Sequence, residues 1–157
     1  MKNFDFLLCF LGLCVLPCVF TDTMTKEEER MKLAKSAGIT TEELQECLNK
    51  VDTDLDSMML LSDSTLDNNL PVSQENATKI GCFGACVSKK NGVLVNSKII
   101  PEKIQELAMP VTRNPEAVER VRATSVECAK QVSDKTDDCD ILFSFSRCFV
   151  QELSRQT

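Results

Sequence analysis

Apolar residues recur at intervals of three, four and seven positions along most of this chain, and no stretch shows sustained alternation of apolar and polar residues. Spacing of this kind gathers apolar side chains on one face of a helix, so the pattern predicts an all-α protein. The clearest patterns predict helices over residues 41–51, 73–90, 101–109, 114–132 and 137–150. Two weaker patterns predict a short helix over 54–62 and a helix over 24–38, for which a solvated arm is an equally good interpretation.

Residues suited to capping a helix stand before several of these patterns. Thr40 and Glu43 have the spacing of a capping box, in which each side chain accepts a hydrogen bond from the backbone N–H of the other residue. Asn114 precedes Pro115, and proline suits the first helical position because it lacks an N–H group. The helix after Thr40 carries Cys47 on its apolar stripe, so Cys47 is expected to face the core.

Residues 1–21 have the layout of a secretory signal peptide, with Lys2 near the start, an apolar run over residues 6–20 and a polar continuation. That run is too short for a membrane span and lacks a basic flank. A buried N-terminal helix is the less favoured alternative, because the residues that follow are polar. The sequence therefore predicts a secreted, extracellular protein without stable membrane insertion. Residues 22–157 are predicted as one domain, in which 22–38 form an N-terminal arm or helix.

Six of the nine cysteines lie beyond the predicted signal peptide, at positions 47, 82, 86, 128, 139 and 148. An even number in an exported chain predicts three disulfides. Cys82 and Cys86 lie four residues apart on one helix, with Cβ atoms about 5–6 Å apart, which is too far for a bond between them. Cys139 and Cys148 would be about 13 Å apart on one helix and are excluded as well. Of the fifteen pairings of six cysteines, ten stay open.

The net charge is −6, and no basic block occurs anywhere in the chain, which argues against binding of nucleic acid or an anionic membrane. The absence of histidine excludes Ser-His-Asp and Cys-His catalysis and imidazole-based zinc sites. Asp52, Asp54 and Asp56 alternate as at the start of a calcium loop. However, Ser57 and Asp63 stand where that loop needs glycine and glutamate. We therefore expect no metal, no cofactor and no enzymatic activity.

Large apolar residues are plentiful, while polar aromatic residues are missing. Beyond the signal segment phenylalanine occurs only at positions 83, 143, 145 and 149, and the chain has no tryptophan or tyrosine. Taken one at a time, these side chains are best interpreted as core. Three disulfides, at about 2–4 kcal/mol each, would nevertheless stabilise a bundle with an incompletely filled centre. The sequence thus permits an apolar pocket without requiring one.

The six cysteines are separated by 34, 3, 41, 10 and 8 residues. This spacing resembles that of the six-cysteine insect odorant-binding proteins, the pheromone and general odorant-binding (PBP/GOBP) family. The segments 82–87 (CFGACV), 91–94 (NGVL) and 147–149 (RCF) are similar to that family too. The resemblance covers about residues 40–149. The interval between Cys47 and Cys82 is longer than usual in the family, which indicates an insertion near the pocket mouth over residues 52–73. The arm over 22–38 is also longer than usual.

The resemblance implies a compact bundle of about six helices around an apolar cavity, with the disulfides Cys47–Cys86, Cys82–Cys139 and Cys128–Cys148. It also implies a secreted carrier that binds odorants, pheromones or other small lipophiles and transports them in extracellular fluid such as sensillar lymph. An odorant receptor or a second copy of the chain is a further partner that the family allows. Helix faces suggest a ligand-binding wall formed by Leu55, Met58, Met59, Phe83, Val87, Leu107, Met109, Val121, Phe143, Phe145 and Phe149.

Some members of that family release their ligand on acidification, through a long C-terminal tail or through histidines. Here nine residues follow Cys148 and histidine is absent, so we expect ligand affinity to depend only weakly on pH between about pH 5 and 7. Asn76-Ala77-Thr78 is a glycosylation sequon in the first turn of the 73–90 helix, where an unmodified asparagine is at least as good an interpretation.

A second function stays open: a secreted protein-binding factor, such as a salivary or seminal effector, built on the same scaffold. It would use the acidic helices as its binding surface. A collapsed interior beside an exposed apolar patch would favour this function over that of a carrier.

Overall fold

The computed structural model describes residues 25–66 and 71–155, which form a nearly all-α bundle with one small hairpin. The predicted signal peptide over 1–21 lies outside the described residues. The elements in chain order are α1 (Lys26–Ser36), α2 (Thr41–Lys50), α3 (Leu55–Leu66), α4 (Gln74–Lys90), β1 (Leu94–Val95), β2 (Lys98–Ile99), α5 (Pro101–Ala108), α6 (Pro115–Gln131) and α7 (Asp138–Arg155). The all-α prediction is confirmed, and within the 24–38 region Lys26–Ser36 form a helix.

Local chemistry explains where the helices begin. The predicted capping box is present: the Glu43 backbone N–H donates to Thr40 Oγ1 at 3.1 Å, and the Thr40 N–H donates to the Glu43 carboxylate at 2.9 Å. Asn114 accepts from the Glu116 N–H at 3.0 Å and places Pro115 at the first position of α6. These side chains satisfy N–H groups that have no partner inside the helix.

The structure differs from the predicted elements at two helix ends and in one connection. Helices α3 and α7 continue to Leu66 and Arg155, beyond the predicted ends at 62 and 150. Residues 94–99, which lie between the helices predicted over 73–90 and 101–109, form an antiparallel hairpin in which Leu94 pairs with Ile99. Its turn residues Asn96 and Ser97 both have positive φ, as a tight two-residue hairpin turn requires. Strands of two residues are too short to show alternation.

Three disulfides join four of the helices into one frame. Cys47–Cys86 ties α2 to α4, Cys82–Cys139 ties α4 to α7, and Cys128–Cys148 ties α6 to α7, with Cα–Cα distances of 5.6, 4.2 and 5.7 Å. These are the three bonds that the family resemblance implies. Helices α4 and α7 are the centre of the frame, because each carries two half-cystines that bond to two different helices.

Ion pairs link the same pairs of helices as the two α4 disulfides. Lys90 at the end of α4 pairs with Glu46 on α2, the residue next to Cys47. Lys89 pairs with Asp138 on α7, the residue next to Cys139. Both lysines also lie in the last turn of α4, where a positive charge interacts favourably with the helix dipole.

Helices α1, α3 and α5 contain no cysteine and lie outside this frame. Helix α1 buries mainly small side chains, Ala34 within it and Ala37 at its C-cap. An exposed ion pair of 2.8 Å between Lys26 and Asp56 connects α1 to α3. Among the described helices, none is long and apolar enough to cross a membrane.

Candidate functional site

A small apolar cavity lies where α1, α2, α3 and α4 meet. Its volume is about 10 Å³, close to that of a single water molecule. Its walls are formed by Leu33, Ala37, Leu44, Leu55, Met58, Met59, Ser62, Phe83 and Val87. Sites for small molecules usually measure about 300–1,000 Å³, so a ligand can enter only if some of these walls move.

One side of the cavity belongs to the disulfide frame. Leu44 on α2 and Phe83 and Val87 on α4 are almost completely buried. The Cys47–Cys86 bond joins these two helices, with Cys86 directly before Val87 in the chain. This wall is therefore held in place by a covalent link as well as by packing.

The opposite side comes from α1 and α3, which no disulfide fixes. Leu55 and Met58 on α3 are 6% and 2% exposed, and Met59 is half-buried. Methionine is unbranched and adapts its shape to its surroundings, so this side can change its surface more readily than the framed side. The cavity thus lies at the boundary between a cross-linked frame and two helices outside it.

A polar cleft of about 250 Å³ lies outside the cavity, on the surface between α1 and the start of α3. It is lined by Lys26, Glu29, Arg30, Asp54, Leu55 and Asp56. Leu55 is the residue common to the cleft and the cavity. Leu55 therefore lies at the border between the charged cleft and the apolar cavity.

Hydrogen bonds shift the pKa values of two charged groups of the cleft, Lys26 and Asp54. A hydrogen bond to the Asp56 carboxylate raises the pKa of Lys26 above its usual value. The Ser57 backbone N–H donates to Asp54 at 2.9 Å and lowers the pKa of Asp54. The cleft consequently combines charges of both signs and carries no single-sign field that would select a cation or an anion.

The structure brings together five of the eleven residues of the predicted wall. These five are Leu55, Met58, Met59, Phe83 and Val87. Four lining residues were not in the predicted wall: Leu33, Ala37, Leu44 and Ser62. The apolar stripe of the helix after Thr40 contains Leu44 and was a signal that could have found it. Leu33 and Ala37 lie in the region that the sequence left open as an arm.

The other six predicted residues do not line this cavity. Phe145 and Phe149 are fully buried in α7, with ring centroids 5.8 Å apart, and Val121 is buried in α6. Phe143 is half-buried, and the Arg147 guanidinium lies 5.8 Å from its ring centroid.

The two remaining positions are on or near α5. Leu107 is half-buried and its side chain packs toward Gly38, while Met109 is 52% exposed. As a ligand-binding set, the eleven residues stay a prediction.

Asn76 of the sequon lies in the first turn of α4 and is half-buried, and its backbone N–H donates to the N-cap Ser73. Its glycosylation stays a prediction. Within residues 25–66 and 71–155, no group of three or more His, Cys, Asp or Glu residues could hold a metal ion.

A bundle of short helices, three cross-links and an apolar cavity between helices define a small disulfide-linked helical protein. The family model of the PBP/GOBP family matches residues 30–152, and the chain belongs to this family. Comparisons with curated proteins and with solved structures found no match. PBP/GOBP proteins are secreted proteins that bind small hydrophobic molecules such as odorants and pheromones, and they are not enzymes.

Proposed function

We propose that this protein is a secreted carrier that binds a small lipophile between α1, α2, α3 and α4 and transports it in extracellular fluid such as sensillar lymph. The observation that carries the proposal is the position of the apolar cavity, with a disulfide-linked wall on one side and a wall outside the disulfide frame on the other. Burial of each CH₂ group of a ligand contributes about 0.8 kcal/mol. The affinity of such a site therefore depends on the length of the ligand's hydrocarbon chain and on the ligand's shape.

Binding requires the cavity to grow at the expense of contacts between its walls. The side chains of Met58, Met59 and Leu33 face the framed residues and can be displaced together with α1 and α3. The ligand then makes apolar contacts in place of those that the two walls lose, so the net free-energy cost of opening the cavity is small. Leu55 lines both the polar cleft and the cavity, so the shortest route for the ligand runs from the cleft past Leu55.

Native mass spectrometry of the secreted protein, followed by extraction of the bound molecule, tests this proposal directly. A displacement assay with a fluorescent lipophile adds an affinity. Met58→Trp should fill the cavity and abolish binding, whereas Leu60→Trp, at a position 71% exposed on the same helix, should bind normally. Equal binding by both folded variants, or no binding by the wild type, would contradict a ligand site at this cavity.

Secretion is part of the proposal, and residues 1–21 are proposed as its signal peptide. Expression of the full chain in insect cells, with N-terminal sequencing of the protein in the medium, tests it. A mature protein that begins near residue 22 is the expected result. Retention inside the cells with residues 1–21 intact would contradict it.

One observation favours a second candidate, the secreted protein-binding factor. The interior is almost closed at about 10 Å³, while Leu60 and Met31, on α3 and α1, are 71% and 55% exposed. A partner protein could cover these apolar side chains. The two functions are distinguished by the same mass spectra, because a carrier retains a small molecule whereas a protein-binding factor is empty and forms a complex with its partner.

A further inference from the structure

We propose that Asn76 carries an N-linked oligosaccharide in the secreted protein, so that the start of α4 is a modification site. The proposal rests on the secretion of the chain, because the sugar donor, a polyprenyl diphosphate-linked oligosaccharide, and its transferase belong to the secretory pathway. Asn76 is not among the residues that line the apolar cavity, so the proposal does not depend on the identity of the ligand.

The acceptor motif occurs once in this chain. In Asn76-Ala77-Thr78 an asparagine is followed two positions later by threonine, with a residue other than proline between them. In the transfer step the Asn76 side-chain nitrogen forms a bond to the anomeric carbon of the first sugar. The bond from that carbon to the diphosphate oxygen breaks, the lipid diphosphate leaves, and the amide nitrogen loses one proton. The product is a glycosylated asparagine with no change of oxidation state.

In the folded protein the sequon forms part of the first turns of α4. The Asn76 backbone N–H donates to Ser73 Oγ at 3.2 Å, and the Thr78 hydroxyl donates to the Gln74 carbonyl at 2.8 Å. The threonine hydroxyl is thus engaged by its own helix, and a transferase can recognise it only before this turn forms. Transfer therefore has to precede the folding of α4.

The order of the cysteines in the chain provides time for this transfer. Helix α4 packs most extensively against α7, and its Cys82 bonds to Cys139, which lies 57 residues further along the chain. At about 5–20 residues per second, synthesis of that interval takes about 3–11 s. During this time the helix that holds α4 in the disulfide frame is still missing. The sequon consequently reaches the transferase well before its surroundings are folded.

The folded protein can also accommodate the oligosaccharide. Glu75 and Thr78 are exposed, Asn76 is half-buried, and the first buried residue of α4 is Ile80. The first cavity residue on α4 is Phe83, seven positions after Asn76 and about 10 Å further along the helix axis. A glycan at Asn76 is therefore attached where α4 is still surrounded by polar surface, and it does not fill the proposed ligand site.

The experiment measures the intact masses of the wild type and of two variants, Asn76→Gln and Thr78→Ala, in the medium of insect cells. The wild type should be heavier than its mature sequence by at least the mass of the trimannosyl N-glycan core, and both variants should lack this increment. Thr78→Ser keeps the sequon and differs from the wild type by one methyl group, so it is the matched control and should keep the glycan.

A second measurement needs only the wild type, so it decides the question even where a variant fails to fold. A peptide-N-glycosidase that accepts core-fucosylated glycans should remove the added mass and convert Asn76 to aspartate, which the mass of the peptide containing the sequon reports. The other asparagines of the chain should keep their amide groups under the same treatment.

Three results would overturn the proposal. Wild-type protein in the medium with the mass of its unmodified mature sequence would refute glycosylation and leave secretion intact. An added mass that persists in Asn76→Gln or in Thr78→Ala would place the modification at another residue. Retention of the wild type inside the cells, with residues 1–21 intact, would contradict secretion and glycosylation together.

Discussion

Gly81 on α4 lies against the backbone of Cys139 on α7. A Cβ atom placed on Gly81 would stand inside the van der Waals contact distance of the Cys139 carbonyl oxygen and 2.8 Å from the carbonyl carbon. The neighbouring Cys82 forms its disulfide with this same Cys139, across a Cα–Cα distance of 4.2 Å. The two helices can approach closely enough for this bond because position 81 has no side chain.

Gly81→Ala should destabilise the protein by about 1–3 kcal/mol, because backbone atoms of α7 would have to move away from the new methyl group. The measurement is the free energy of unfolding from urea titration, followed by circular dichroism. A matched control lies one turn further along α4 at Gly84, where a Cβ atom would meet Leu142 Cβ at 3.6 Å, an ordinary contact.

Gly84→Ala should be neutral or stabilising by up to about 1 kcal/mol, since alanine favours a helix over glycine. Equal losses in the two variants would show that the cost comes from the helix surface in general and not from the approach of Gly81 to Cys139.

Helix starts were predictable from the sequence because the groups that create them are close in the chain. Thr40 and Glu43 satisfy each other's N–H groups, and Asn114 with Pro115 opens α6 in the same local way. The ends of α3 and α7 were not predictable in this way, because no glycine or proline occurs in residues 63–66 or 151–155, by which these helices exceed their predicted lengths.

The cavity wall was predictable only in part, for a similar reason. Phe83 and Val87 sit beside the cysteines of α4, so their position relative to the frame follows from the spacing. Helix α7 is apolar on most sides, and its pattern does not say which of Phe143, Phe145 and Phe149 faces which neighbour. Ser62 is the last residue of the short helix predicted over 54–62, and only tertiary packing shows that it is buried.

Hydrogen exchange should separate the two kinds of helix. We expect the amides of α1 and α3 to exchange faster than those of α4 and α7 at pH 7, because α1 and α3 lack disulfides and bury less apolar surface. Mass spectrometry of peptides after timed labelling measures this. A lipophile that binds in the cavity should slow exchange in α3 more than in α6. Equal slowing of exchange in all helices would contradict a cavity wall formed by α1 and α3 that moves.

Stability and ligand affinity should both be nearly constant between about pH 5 and 7. Hydrogen bonds from Lys90 and Lys89 lower the pKa of Glu46 and Asp138, and one from Lys135 lowers the pKa of Asp140. A carboxyl group whose pKa is lower in the folded protein than in the unfolded protein stabilises the fold at pH values above its unfolded pKa. That stabilisation is lost as the pH falls through the folded value. With unfolded values near 4, the loss should become appreciable only below about pH 5.

Urea unfolding midpoints at several pH values test this expectation, with displacement titrations beside them. Glu46→Gln should be less stable than the wild type at pH 7 and should lose less stability on acidification. A steep fall in stability or affinity between about pH 5 and 7 would contradict the prediction, since the chain has no histidine to titrate there.

Leu55 should control the rate at which ligand enters, because it lines both the surface cleft and the cavity. Leu55→Ala removes most of the side chain between them, so association and dissociation of a fluorescent lipophile should both become faster in stopped-flow measurements. The same substitution should lower the free energy of unfolding by about 2–3 kcal/mol, as expected for a buried leucine.

Leu60→Ala, at an exposed position of the same helix, is the control for helix propensity and should change neither the rates nor the free energy of unfolding appreciably. Unchanged rates in a folded Leu55→Ala protein would mean that the ligand enters the cavity by a path that does not pass this side chain.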